Sequence, residues 1–429
     1  MTLTSMRSLR RVPAWKIAVA SSAAFVLVVG AFRLWVDSAA ARRWTVLERQ
    51  VRELSLEIDS RDRSRPVLRG EPIPGNAWDD YVKAIRSVEA VESAIALLDD
   101  WSRIKDGASG AALAPYLDAF GPALLDLRRG VRRAEGLYRP DGMTVPDVRE
   151  RPPSGPVKAL VSLGLLEARR RADSGRSAEA AEILLDLAQF SRDAGHGGTH
   201  LSLILGVVVL DDVWGELRDL QLSGRMDPDL AARVARELEI LDASFPDAAL
   251  AHLTEALDIG LYLKGLPDEP RSPHGDFRDL SVADWRHGYS WKLKVASGWA
   301  ELRRWHIQLT EAERKLWPEA RRIAEWAEAE QAAPRSELAR RNMAPFFRSR
   351  LVQVRACRAR LRLLRAAAHH RATGIFLELE DPFGTRIRHA STPERILIWS
   401  VGQDGVDHGG VGTWNSSRAG TDLVFEIRP

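Results

Sequence analysis

A charge-free apolar run from Ile17 to Phe32 constrains this chain more than any other feature. Leu34-Trp35-Val36 extends it past Arg33 to a length that can cross a bilayer, with Arg33 free to snorkel and Trp35 suited to the interface. Arg7, Arg10, Arg11 and Lys16 precede the run, so the positive-inside rule predicts a cytoplasmic N-terminus. The body from about Ala40 onward is then expected on the other side, although Arg33, Arg42 and Arg43 narrow the charge bias. The rival reading is a cleaved signal peptide with its site at Ala39-Ala40-Ala41. Arg33, Trp35 and Asp37 fit poorly in front of such a site. Both readings place the body outside the cytoplasm.

The chain of 429 residues has room for two or three domains and can bury a sizeable core. With 45% hydrophobic and 28% charged residues it is globular rather than disordered. A net charge of +3 argues against a nucleic-acid partner. Cys357 is the only cysteine, which excludes an intramolecular disulfide and a cysteine-based zinc site, and it is expected to be buried.

The pattern predicts a mainly α protein: an N-terminal transmembrane helix, an irregular array of helical hairpins and a small C-terminal β unit. Residues 1–40 form the tail and anchor, 41–75 a juxtamembrane helix and Pro-containing linker, 76–372 the helical body, and 373–429 the β tail. Trp44, Leu47, Val51, Leu54 and Ile58 repeat at alternating three and four spacing. Such a stripe either docks on the chain's own body or, through residues 44–58, forms a homodimer seam. Asn76 is placed to cap a helix carrying Trp78, Tyr81, Val82, Ile85, Val88, Ile95 and Leu98. Further helices are expected at about 111–136, 156–174, 177–194, 199–222, 227–243 and 246–264. Residues 161–194 resemble a single tetratricopeptide-type hairpin turning at Ser174-Gly175, with no second copy at a fixed period. Asp227-Pro228 is a sound helix start, and Thr310 with Glu313 reads as a capping box. The last helix is expected from about Ser336 to Ala372. Ile375-Phe376-Leu377, Ile396-Leu397-Ile398-Trp399 and Leu423-Val424-Phe425 are β-prone runs.

The tail carries the most distinctive motif. Asp381-Pro382-Phe383-Gly384 is followed by Ser400-Val401-Gly402-Gln403-Asp404-Gly405, then Asp407, Gly409-Gly410 and Thr421-Asp422-Leu423. That order resembles the C-terminal end of the major pseudopilins of type II secretion. Most of the chain resembles membrane-anchored helical envelope proteins of bacteria that end in such a tail. The resemblance implies a bacterial inner-membrane setting and a calcium-holding loop, with Asp404 and Asp422 as the matching ligands. Read from the residues alone, Asp404, Asp407 and Asp422 offer hard carboxylate oxygens on a Gly-rich loop, the donor type calcium takes. The bland alternative is a β-loop held by Asx-turns. The chain departs from pseudopilins at its other end, where no processing motif precedes the apolar segment.

Elsewhere the chemistry is sparse. Asp193, His196 and His200 would share a face if one helix ran through them, and H-x-x-x-H is a metal-ligand spacing. Gly195, Gly197 and Gly198 argue for a turn instead. Trp285, Trp291, Trp299, Trp305, Trp317 and Trp326 form a cluster that reads as helix-packing core before it reads as a sugar platform. Walker, Rossmann, H-E-x-x-H and G-x-S-x-G signatures are absent. These features predict a non-catalytic, membrane-anchored scaffold or protein-interaction protein outside the cytoplasm, with unidentified envelope partners. The competing class is an envelope hydrolase or metal-dependent enzyme using His196 and His200.

Overall fold

A computed structural model describes residues 14–60, 65–89, 110–136, 154–265, 291–332, 347–415 and 420–427. The predicted positions Ile95, Leu98, Trp285 and 336–346 lie outside these described residues. The protein is mainly helical with a small C-terminal sheet.

Helix α1, Ala14–Asp59, is continuous through the Ala-rich stretch at 39–41, because no Gly-Pro breaker or polar cap interrupts it. Its two halves meet different surroundings. Phe25, Leu27, Phe32 and Leu34 are exposed, whereas Leu47, Val51, Leu54 and Ile58 are buried. One helix, near the N-terminus, is long and apolar enough to cross a membrane. The heptad stripe packs on α8, Ala248–Gly265, and α9, Trp291–Glu313. A Cβ at Gly260 would sit 2.5 Å from the Val51 side chain, and the Trp299 indole donates to Gln50 at 2.9 Å. The buried members of the stripe therefore dock on the chain's own body, the first of the two roles its spacing allows.

Strand β1, Ile73–Asn76, pairs in parallel with β2, Arg133–Glu135, and brackets α2, Trp78–Glu89, and α3, Gly110–Val131. The Asn76 side chain accepts from the Trp78 amide at 3.0 Å, as an N-terminal cap should. Then come α4, Ser154–Asp173, α5, Ser177–Gly195, α6, His200–Leu222, and α7, Pro228–Ala243. The α4–α5 hairpin turns at Ser174-Gly175 as expected, with Gly175 at φ +76°. Asp227 accepts from the Leu230 amide at 2.7 Å with Pro228 at the first helical position. Where α5 and α6 cross, a Cβ on Gly206 would lie 2.6 Å from the Gly195 Cα, so the backbones approach this closely only because Gly206 lacks a side chain.

The capping box at Thr310 is a correction. Helix α9 runs through Thr310 to Glu313, and the Thr310 hydroxyl donates back to the His306 carbonyl at 2.8 Å. The next helix, α10, starts at Trp317 and ends at Ala332. Trp299, Trp305 and Trp317 are buried in the core, which accounts for those members of the Trp cluster by packing.

Helix α11, Phe347–Thr373, crosses back over α7 and α6 and carries the tail on its other side. Its arginines act as internal forks: Arg358 and Arg362 both reach Asp242, at 2.9 Å each, and Arg360 reaches Asp211 at 2.7 Å. Cys357 is buried on the same helix. The tail sheet has the order β3-β4-β6-β5, made of Arg388–Ser391, Ile396–Ser400, Asp422–Ile427 and Gly412–Thr413. Two of the three expected strand runs are present. Ile375-Phe376-Leu377 is not a strand: the Phe376 ring is sandwiched between His370 and His389, at 4.1 and 3.9 Å between ring centres.

Candidate functional site

The tail carboxylates are placed by strand β6 and the Gly-rich loop before it, and each is already engaged by protein donors. Asp404 accepts from the Val406 amide at 3.0 Å and from the Gly420 amide, and pairs with His408 at 3.0 Å. Asp407 accepts from the Trp399 indole and the Gly409 amide, both at 2.9 Å, and faces Arg388 at 3.1 Å. Asp422 is buried and accepts from the Gly410 amide at 2.8 Å. Hydrogen bonding, led for Asp407 by the Trp399 indole, holds Asp404 and Asp407 below their ordinary range; burial raises Asp422. These are the Asx-turn contacts of a self-supporting loop. The three groups do not gather into one ligand cluster among the described residues. These contacts hold the loop together and leave further carboxylate lone pairs on each Asp. Melting in millimolar calcium and in chelator tests the calcium reading: a rise of several degrees with calcium, lost in Asp404→Ala or Asp422→Ala, supports it, and coincident melts count against it.

The second predicted group splits at a turn. His196 caps the C-terminus of α5, Gly197 takes φ +72°, and α6 starts at His200. Asp193 points the other way, into a buried network with Tyr81, Arg65 and Arg192. The turn therefore sends the three residues to three places, and the H-x-x-x-H spacing is not a helical face.

His200 instead meets His252 of α8 and His306 of α9. One ring nitrogen from each lies within 4.8 Å of the other two. The His200 and His252 rings meet edge to face at 4.1 Å, while His306 stacks nearly parallel to His200 at 6.4 Å and lies 6.2 Å from His252. His200 is 6% exposed and the other two are 1% exposed. Burial drives His200 and His306 down to about 3 and His252 well below its ordinary value, so all three imidazoles are neutral near pH 7. Both ring nitrogens of His306 are buried without a hydrogen-bond partner. The nearby carboxylates come from the same helices. Glu255 accepts from the His200 backbone amide at 3.3 Å, and Glu313 lies 3.8 Å from the His252 Nε2. Burial raises Glu313 to about 8. The Trp305 ring closes one side, edge to face with His306 at 5.5 Å.

Neutral imidazoles on three separate helices can donate lone pairs to a transition metal or cross-link the core by contact. His252 and His306 were not singled out in the sequence. The available signal was a histidine inside an apolar stripe, as in Ala249, His252, Ala256, Ile259 and Leu263, or Leu302, His306 and Leu309. Compared with known proteins, the chain matches no family model, no curated protein and no solved structure.

Proposed function

We propose that this chain is a single-pass, membrane-anchored scaffold whose helical body lies outside the cytoplasm and acts through protein interaction. The observation that carries the reading is α1. Its first half presents Phe25, Leu27, Phe32 and Leu34 outward, and its second half is core to the body, with no break between. A continuous helix transmits position and orientation, so such a body is held at fixed height above the bilayer rather than tethered loosely. Ala40 is buried mid-helix, which favours an uncleaved anchor over a signal cleaved at Ala39–Ala41. The pseudopilin-like order of the tail motifs makes a secretion or pilus-like system of the bacterial inner membrane the favoured setting. The alternative enzyme reading rested on His196 and His200 acting together, and His196 stays at the turn while His200 enters the histidine cluster.

A reporter that works only outside the cytoplasm, fused after residue 60, is expected to be active, and the full chain should resist extraction from membranes at alkaline pH. Reporter activity confined to the cytoplasm would overturn the placement. A pull-down from detergent extracts then tests the scaffold role, with reproducible capture of an envelope protein by the full chain as the expected result.

A further inference from the structure

We infer that His200, His252 and His306 form a structural site for one divalent transition-metal ion of the zinc class. This goes beyond the scaffold reading and does not depend on it. The geometry is that of a convergent donor set: three ring nitrogens, from the start of α6, the second turn of α8 and the last turns of α9, mutually within 4.8 Å. Tetrahedral zinc with bonds of about 2.0–2.1 Å needs ligand nitrogens roughly 3.3 Å apart, so small rotamer shifts close the triangle.

The second observation is His306. A neutral imidazole carries one N–H donor and one lone-pair acceptor, and at His306 both are buried without a partner. Leaving such groups unmade is costly in a closed core, and apolar packing alone would be served better by leucine or phenylalanine. A metal bond uses the lone pair that the protein leaves unused. The Thr310 hydroxyl, bonded to the His306 carbonyl, fixes the turn that aims this ring inward.

The surroundings select the ion and its role. With imidazole nitrogen as donor and no thiolate in reach, the set suits zinc, cobalt or nickel rather than calcium or magnesium. All three rings are nearly inaccessible, so the ion is held away from bulk solvent and loads as the chain folds, with Glu313, whose Oε1 lies 3.8 Å from the His252 Nε2, or a buried water completing the tetrahedral set. Its position gives it work to do. Helices α8 and α9 grip the C-terminal half of α1, while α6 belongs to the layer that carries α5 and α11. The ion fastens the anchor-binding pair of helices to the rest of the body.

The test uses the full chain in detergent, without a polyhistidine tag, produced in medium supplemented with cobalt or zinc and freed of loose metal by gel filtration. About one equivalent of cobalt is expected, with the visible ligand-field bands of a tetrahedral site. His306→Leu, which refills the core, should lose both while keeping its helical circular dichroism. His369→Ala with His370→Ala, at the end of α11, should keep both. Chelation under partly denaturing conditions should lower the melting temperature of the zinc-loaded wild type by about 5 °C or more, and leave His306→Leu unmoved. Should His306→Leu fail to fold, His200→Ala at the first turn of α6 takes its place, with the same losses expected. Wild-type protein that carries less than about a fifth of an equivalent after either supplement overturns the proposal. So does equal loading in a folded His306→Leu or His200→Ala variant.

Discussion

Asp193→Ala is expected to lower the melting temperature of the protein by about 3–6 °C, and to do so without touching His200, His252 or His306. Asp193 is wholly buried at the C-terminal end of α5. Its Oδ2 accepts from the Tyr81 hydroxyl at 2.8 Å and faces Arg65 at 3.0 Å, and its Oδ1 accepts from Arg192 at 2.8 Å. Arg65 also donates to the Gly130 carbonyl at 2.7 Å and Arg192 to the Ser244 carbonyl at 2.7 Å. One carboxylate thus neutralises part of a buried double positive charge and ties the segment after α1 to α2, α3 and α5. Burial lowers Arg192, while at Arg65 desolvation also opposes the charge but Asp193 and Tyr81 outweigh it and raise the pKa. Deleting the anion leaves two buried guanidiniums without their counter-charge and the Tyr81 phenol without its acceptor, a loss of about 3–5 kcal/mol. Arg225→Ala breaks an exposed pair with Asp173 at 3.0 Å and is expected to cost no more than about 1 kcal/mol. Thermal melts of the two variants side by side test the difference; equal melting temperatures would mean that the network is relaxed by water.

Local patterns in the chain were legible where a single element carries the signal. The apolar run, the α4–α5 hairpin and the Asp227 cap each depend on neighbours within a turn or two. The stripe on α1 was legible as a stripe, but its partner was not, because dimer and self-docking bury the same residues. Where tertiary contacts decide, pattern failed. Thr310 and Glu313 have the spacing of a capping box and lie at the end of a helix, because packing of Leu309 and Ala312 carries α9 past them. Phe376 has strand propensity and stacks between two histidines instead. The histidine cluster was the least visible feature. Its members come from three helices separated by long intervals of sequence, and each alone reads as an ordinary core histidine. The adjacent pair His196 and His200 drew attention by spacing, and only one of them belongs.

The second large effect is expected at Asp381, in the Asp-Pro-Phe-Gly motif that made the tail distinctive. Its carboxylate is buried and bridges three points: Oδ1 accepts from the Phe383 amide at 2.9 Å and the Ser400 hydroxyl at 2.7 Å, and Oδ2 accepts from the Val401 amide at 2.8 Å. Burial raises its pKa despite these bonds, so part of their strength is spent on desolvation. The residues it fixes are those that dock the sheet. Pro382 presents its carbonyl to Arg355 at 2.8 Å, and Phe383 packs edge to face on Trp317 at 5.1 Å. The Trp317 indole in turn donates to the Gln403 carbonyl at 2.8 Å, in the loop that follows β4. Asp381→Ala removes three hydrogen bonds to one carboxylate and strands a buried amide at Val401, a loss of about 3 kcal/mol. That loss falls on the tail rather than on the body, because the helices contact one another without it. Limited proteolysis is expected to cut the variant within residues 385–420 while the helical body survives, and Asp381→Asn, which retains one acceptor oxygen, should be cut more slowly. Cleavage of Asp381→Ala at the wild-type rate would show that strands β4 and β6 hold the tail on α11 without the motif.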